Sequence, residues 1–261
     1  MNKKMVTSIL ILMLVLGLTL AGCGGDKKAA APAAPKVLKV GSDTAFAPFE
    51  FQDEKSKEYV GFDMDLIQAI GKQMKMEVKV QGMNFDGLIP GLESGNIDMV
   101  ISAMTITEER KKKVNFSKPY YQSGLSIMVR SDNNTLKEFK DLEGKRIAVQ
   151  IGTTGAKEAR KIKDAKIREF NSAPEAFLEL KAGGVDAVVN DLPVNEYFIT
   201  KAGGKDAKIV GKPLNSEDYG IATAKKNTEL IAAVDKALDE LKKNGEYEKI
   251  YVKWFGKKPV Q

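Results

Sequence analysis

Three groups of residues in this chain have types and neighbours that could do chemistry, and each stands at the end of an apolar stretch. Arg110 follows Thr105-Ile106-Thr107-Glu108-Glu109. Thr107 suits a helix N-cap, and the two glutamates suit the positive end of a helix dipole, but a cation in that first turn opposes it. A guanidinium there is better explained by a carboxylate ligand gripped bidentately; the competing reading is a surface pair with a nearby Glu. Gly152-Thr153-Thr154-Gly155 separates a strand pattern from a helical one. Free backbone N–H groups and Thr hydroxyls at such a junction form an anion site, although an N-cap with a turn glycine reads equally well. The Gly-Lys-Ser/Thr core of a phosphate loop is missing. Asp191 closes the run Val185-Asp186-Ala187-Val188-Val189-Asn190 and can either accept hydrogen bonds from an ammonium group or cap the helix that Leu192-Pro193 begins. Phe46 and Phe85 follow two further strands and either enclose an apolar stem or fill core. An anion grip, a cation grip and two aromatic walls together describe a zwitterionic small molecule.

Two βαβ patterns in series must position these groups. Residues 37–41 read as a buried strand, 61–76 as a helix (Phe62, Leu66, Ile70 and Met74 at helical spacing), and 77–80 as an alternating strand. Residues 86–94 form a short helix stopped by Gly95, and 97–102 the next strand. The order returns downstream as strand 146–150, helix 156–162, strand 166–170, helix 174–182 and strand 185–190. This predicts an α/β fold of two lobes, each a mainly parallel sheet flanked by helices. Extended segments at 120–130 and 219–222 would join the lobes as a two-strand hinge. Helix 228–243 and a last helix through Tyr251 and Trp254 complete the chain, with Trp254 read as packing. Ligands of open parallel sheets bind beyond the C-terminal strand ends, which selects the segments around Asp43 and Phe85, 102–110, 150–155 and 190–191.

Composition removes several alternatives. With 261 residues there is room for two lobes, and with no His and one Cys there is no His-based catalytic triad, His-ligated metal site or internal disulfide. No metal is expected, and the binding role implied by the resemblance described below brings the further expectation of no cofactor and no enzymatic activity. The net charge of +6 includes Lys3 and Lys4, a modest excess that argues weakly for nucleic acid, and none is expected. Those lysines begin a basic start followed by an apolar run over residues 9–20, too short for a comfortable membrane span but suited to an export signal. It ends in Leu20-Ala21-Gly22-Cys23, similar to a bacterial lipobox. Residues 1–22 would be removed and Cys23 would carry lipid on the outer face of the plasma membrane. Residues 23–36 would then be the lipidated cysteine and a Gly/Ala/Pro-rich tether.

From Val37 to Phe255 the chain resembles the extracytoplasmic solute-binding proteins of amino-acid ABC transporters, solute-binding family 3. Gly61-Phe62-Asp63-Met64-Asp65-Leu66 carries the signature, and Asp43-Thr44-Ala45-Phe46, Pro48-Phe49-Glu50-Phe51, 105–112, Tyr120-Tyr121 and Tyr219-Gly220-Ile221-Ala222 resemble its glutamine-binding members. The resemblance implies lobe 1 at 37–122 and 219–261 and lobe 2 at 123–218. It implies that Arg110, Thr105 and Thr154 hold the ligand α-carboxylate, and that Asp191, with backbone near Ala103, takes the α-ammonium. Phe46 and Phe85 would sandwich the stem, and Asp43 would meet an amide NH₂ or a longer cationic head. Two positions depart from the glutamine pattern: Gln150 replaces a Lys and Asn190 a His. Gln150 can donate to an amide or accept from a guanidinium. The Gly-Thr-Thr run and Ser102 are also similar to arginine- and lysine/arginine/ornithine-binding relatives.

The resemblance implies a monomer that captures a free amino acid, glutamine first and arginine second, by hinge closure and delivers it to a membrane permease. A dehydratase-like enzyme or a sensor domain on the same fold are the rival readings. An enzyme would need a cleft acid or base, for which only Asp43 and Asp191 offer themselves.

Overall fold

The computed structural model describes residues 36–202 and 204–259. The export signal at 1–22, Cys23 and the tether as far as Pro35 lie outside the described residues. Val37–Ser42 alternates exposed and buried before sinking fully into the interior, and it pairs in parallel with Glu77–Gly82 on one side and Met99–Val100 on the other. Ala222–Ala224 and Val114–Phe116 extend this first sheet antiparallel. Its helix Phe62–Gln73 buries Phe62, Leu66, Ile67 and Ile70, an i, i+4, i+8 stripe, against the sheet. The helix is shorter than the 61–76 pattern because Lys75 takes a left-handed turn (φ 55°) that redirects the chain into the next strand. Gly61, just before it, has φ 137°, and a Cβ there would stand 2.0 Å from the carbonyl oxygen of Phe49. The signature glycine is thus required by both conformation and space.

A second sheet of five strands has the spatial order Lys166–Phe170, Arg146–Gln150, Ala187–Asp191, Leu125–Arg130, Ala207–Val210. The first three are parallel, and Leu125–Arg130 is antiparallel to both of its neighbours. Ala207–Val210 was not legible in the sequence, since all four of its residues are only half-buried and give no alternation. The expected strand at 97–102 shrinks to Met99–Val100, because the chain past Ile101 leaves the ladder to build the ligand-facing edge.

The chain crosses between the sheets twice. Tyr121–Ser123 and Glu217–Tyr219 pair antiparallel as a two-stranded ribbon. The expected strand at 219–222 is broken at Gly220-Ile221, where the chain leaves this ribbon and enters the first sheet at Ala222. A Cβ on Gly220 would lie 2.8 Å from the Ile106 side chain, so the crossing leaves no room for a larger residue. Phe49, Phe62, Tyr121, Tyr219, Tyr251 and Phe255 stack around this crossing, with ring centroids between 4.7 and 6.2 Å for the pairs in contact. Helix Thr228–Lys243 packs on Ala222–Ala224 and Val114–Phe116, and helix Glu246–Phe255 packs on it and on Phe62–Gln73. Trp254 packs edge-on against Phe51 and donates its indole N–H to Asp65 at 2.7 Å, which is a packing role.

Candidate ligand-binding cleft

The strand-end segments chosen from the sequence meet around one narrow cleft, lined by Phe46, Phe85, Ser102, Ala103, Thr105, Arg110, Gln150, Thr153, Thr154 and Asp191. Phe46 lies on the short strand Ala45–Phe46 of a separate three-stranded sheet, Phe85 opens a 3-10 turn after the strand Glu77–Gly82, and the 102–110 segment follows Met99–Val100; Gln150 and Asp191 end strands of the second sheet, and Thr153 and Thr154 follow Gln150. Arg110 and Asp191, expected to grip opposite charges of one guest, are therefore two walls of one space.

Thr107 does cap its one-turn helix, Glu108–Lys111, by accepting the Arg110 N–H at 3.2 Å. The Arg110 side chain turns inward, with only 9% of its surface exposed, so the surface-pair reading fails. It donates to the Thr105 carbonyl at 2.7 Å and, across the cleft, to the Gly152 carbonyl at 3.0 Å. Its guanidinium lies over the Phe85 ring at 5.2 Å, a cation–π contact that orients the plane. Burial lowers its pKa, while the charges of Glu217 and Asp191 act to raise it; a guanidinium stays charged under such opposing pulls. A guanidinium has five N–H donors, so those not spent on the two carbonyls remain for a carboxylate.

Gly152 takes φ 78° and approaches Asp86 so closely that a Cβ would meet the Asp86 Cβ at 3.1 Å. Thr153, in the stretch that reads equally as anion site or cap, is both the N-cap of Thr154–Ala159 (accepting Ala156 N–H at 3.1 Å) and part of the cleft wall. Asp191 stands at the N-cap of Leu192–Lys201 but makes no side-chain capping bond; it accepts the Tyr219 hydroxyl instead. That frees it from the capping alternative. Burial and the nearby Glu217 raise its pKa to about 7, opposed by the Tyr219 hydrogen bond and the Arg110 charge.

At the far end of the cleft, Asp43 meets Gln150. The Gln150 amide nitrogen donates both to the Asp43 carboxylate and to the Asn171 carbonyl, the latter at 3.0 Å. Burial lifts Asp43 to about 6 against the Gln150 hydrogen bond, and the charges of Asp86 and Glu175 lift it further. Ser102 accepts the Asp43 N–H at 2.9 Å and donates to Glu50 at 2.9 Å. Ala103 sits in the left-handed region (φ 43°), which for a residue with a Cβ stores strain at the cavity wall.

Two expected residues fall differently. Asn190 is buried but points away from the cavity, its amide reaching Asn195 at 3.4 Å within a network that includes Ser126. Alternation along Ala187–Asp191 explains this, since neighbours on a strand face opposite sides and Asp191 has the cleft side. The hydroxyls of Thr105 and Thr154, expected to serve a ligand carboxylate, both donate to one Glu217 oxygen, at 2.7 and 2.8 Å. Each hydroxyl has a single hydrogen, so in this arrangement Arg110 and backbone N–H groups are left for the ligand. Sequence reasoning missed Glu217; its only signal was a carboxylate two residues before the Tyr219-Gly220-Ile221-Ala222 stretch. The structure buries it at the crossing ribbon, where it ties the two sides of the cleft together.

Residues 38–257 match the model of the bacterial extracellular solute-binding proteins, family 3, and the chain belongs to that family. It is 35% identical over 251 residues to a probable histidine-binding protein of Neisseria gonorrhoeae, covering 94% of this chain and 93% of that one. Among solved structures, an ancestral arginine-binding protein bound to arginine is 47% identical with a TM-score of 0.82, covering 84% of this chain and 98% of its own. A structure of an ancestral arginine-binding protein bound to glutamine is 46% identical with a TM-score of 0.80, covering 85% and 98%.

Proposed function

We propose that the chain is the extracytoplasmic binding component of an amino-acid ABC importer, that its cargo is a basic amino acid with arginine first, and that it performs no chemistry on that cargo. The observation that carries the choice of arginine is the orientation of Gln150. Both hydrogens of its amide are committed, to Asp43 and to the Asn171 carbonyl, so its oxygen is what it can offer a ligand. Together with the Asp43 carboxylate this makes the distal end a set of acceptors. A guanidinium, all donors, satisfies them; the carbonyl of a glutamine side chain would face them unpaired. The histidine- and arginine-binding names of similar proteins agree with a basic ligand. Glutamine remains the second reading, because a similar ancestral arginine-binding protein was also solved with glutamine bound.

Arg110 would hold the α-carboxylate, Asp191 the α-ammonium, and Phe46 and Phe85 the aliphatic stem. Closure about the 121–123 and 217–219 ribbon would follow as a population shift, the ligand favouring the form in which both walls touch it. Cys23 would be the lipid anchor after removal of residues 1–22. Calorimetry of the twenty common amino acids against the purified protein tests the reading: arginine should bind most tightly, and denaturation should return it unchanged. A tightest response to glutamine, or recovery of a product, would replace it. Cys23→Ser should move the protein from the membrane fraction to the soluble one.

A further inference from the structure

Behind the cleft wall lies a pair of carboxyl groups to which the account above gives no role. Glu50, in the strand Glu50–Gln52, and Asp63, in the first turn of Phe62–Gln73, are both completely buried. Asp63 Oδ2 accepts the Ala103 N–H at 2.8 Å and the Tyr120 hydroxyl at 2.7 Å. Glu50 Oε1 accepts the Ser102 hydroxyl at 2.9 Å. Each acid keeps one oxygen, Asp63 Oδ1 and Glu50 Oε2, with no donor. The charges acting on Glu50 are those of Asp63 and Asp43, both negative. The two side chains lie within hydrogen-bonding reach of each other; two bare carboxylates cannot stay buried together without a cation, whereas a single proton between them supplies the hydrogen bond the pair lacks.

We propose that Glu50 and Asp63 are positioning residues that share one buried proton and hold the Ser102–Ala103 edge from behind as hydrogen-bond acceptors, biasing the cleft toward a cationic side chain. The selectivity half rests on the reading of the cleft as a basic amino-acid site. Burial and the neighbouring Asp63 charge hold Glu50 well above the usual carboxylate range. Asp63, whose charge the Ala103 N–H and Tyr120 hydroxyl support, is lifted by burial only to about 6. The proton therefore resides on Glu50, which donates to Asp63 and accepts from Ser102. Ser102 then has no hydrogen left: it gives its own to Glu50 and takes the Asp43 N–H, so only a lone pair remains for a ligand. Ala103 has its N–H fixed to Asp63 in the left-handed conformation, and its carbonyl is what it can present. Donors on the ligand are the complement of such an edge.

A neutral glutamine at position 50 mimics protonated glutamate, its amide oxygen accepting from Ser102 and its NH₂ donating to Asp63. The test joins two measurements on the full chain. Infrared spectroscopy with carbon-13 glutamate at about pH 8 should show a protonated carboxylic acid that is label-sensitive and absent in Glu50→Gln. Calorimetry with L-arginine and L-glutamine should find their affinity ratio kept within about twofold in Glu50→Gln and reduced about tenfold toward glutamine in Glu50→Ala, where the Ser102 hydrogen is released. An ionised Glu50 in the wild-type protein, or a Glu50→Gln variant with the ratio of Glu50→Ala, overturns the proposal. Should Glu50→Ala not fold, the infrared band and Glu50→Gln still decide. A wild-type protein that binds neither ligand but shows the band removes the selectivity half together with the cleft reading, and is recognised as such because the proton is seen independently.

Discussion

At the residue scale, one cation faces several acids, and that imbalance governs the behaviour of the cleft. Arg110 stands beside Glu217 and Asp191, with Asp43 further along. Arg110→Ala should weaken binding of every α-amino acid by at least ~100-fold, about 3 kcal/mol, since it removes the carboxylate partner and leaves buried acids uncompensated. Calorimetry on variant protein with an unchanged circular dichroism spectrum checks this, and unaltered affinity would dismantle the site assignment. Asp43→Asn should instead lower the arginine-to-glutamine affinity ratio, because it removes the distal charge and leaves the α-groups' partners in place.

Asp191 adds a pH dependence whose sign is fixed. Its pKa is about 7 in the ligand-free fold against ~3.9 in an unfolded chain. Its contribution to stability is thus fully present below about pH 4 and is lost as pH rises through 7. A bound ammonium reverses the preference by favouring the ionised form. Binding at about pH 6 should therefore expel a proton, and affinity should fall toward acid by up to about tenfold per pH unit below 7. Calorimetry in buffers of different ionisation heat should detect that proton at pH 6 and almost none near 8.5; equal heats in all buffers at pH 6 would refute the role of Asp191.

At the scale of elements, precision comes from close backbone approaches. The Phe62–Gln73 helix supplies Asp63 to the back of the cleft only because Gly61 lets the Phe49 carbonyl lie where a Cβ would be. Gly61→Ala combines that collision with a left-handed backbone and should destabilise the fold by roughly 2–4 kcal/mol. A urea titration measures it, and a loss under 1 kcal/mol would mean that the turn has a relaxed alternative. The ribbon formed by Tyr121–Ser123 and Glu217–Tyr219 is tight in the same way: a Cβ on Gly124 would lie 2.3 Å from the Asn215 carbonyl oxygen.

For the whole molecule, the bonds that hold the two sheets across the cleft among the described residues include the Gln150–Asp43 hydrogen bond at its far end and several at the other. Glu217 joins Thr105 to Thr154, Arg110 reaches Gly152, and Lys157 meets Glu109 at the exposed rim at 2.8 Å. The rim pair contributes little in water; the buried carboxylate contributes more. Glu217→Ala should widen the ligand-free molecule in small-angle X-ray scattering and weaken ligand binding about tenfold, while saturating ligand should restore the compact profile. An unchanged profile and affinity would show that Glu217 is not a latch.

The sequence by itself determined the two βαβ units, the segments at the strand ends and most of the cleft lining, because hydrophobic period and strand-end geometry are local properties that chain order carries. It also marked Arg110 as anomalous, since a cation in a first helical turn contradicts the dipole. The inward-facing Arg110, the cleft-facing and non-capping side chain of Asp191 and the outward turn of Asn190 depend on which side of a strand or helix faces the cleft, and packing decides that. Glu217 and the Glu50–Asp63 pair were invisible for a deeper reason. Their burial and their anchoring depend on contacts distant in sequence, such as Ala103 with Asp63 and Thr105 with Glu217. Whether an acid there is solvated, paired or protonated follows from what the folded chain closes over it.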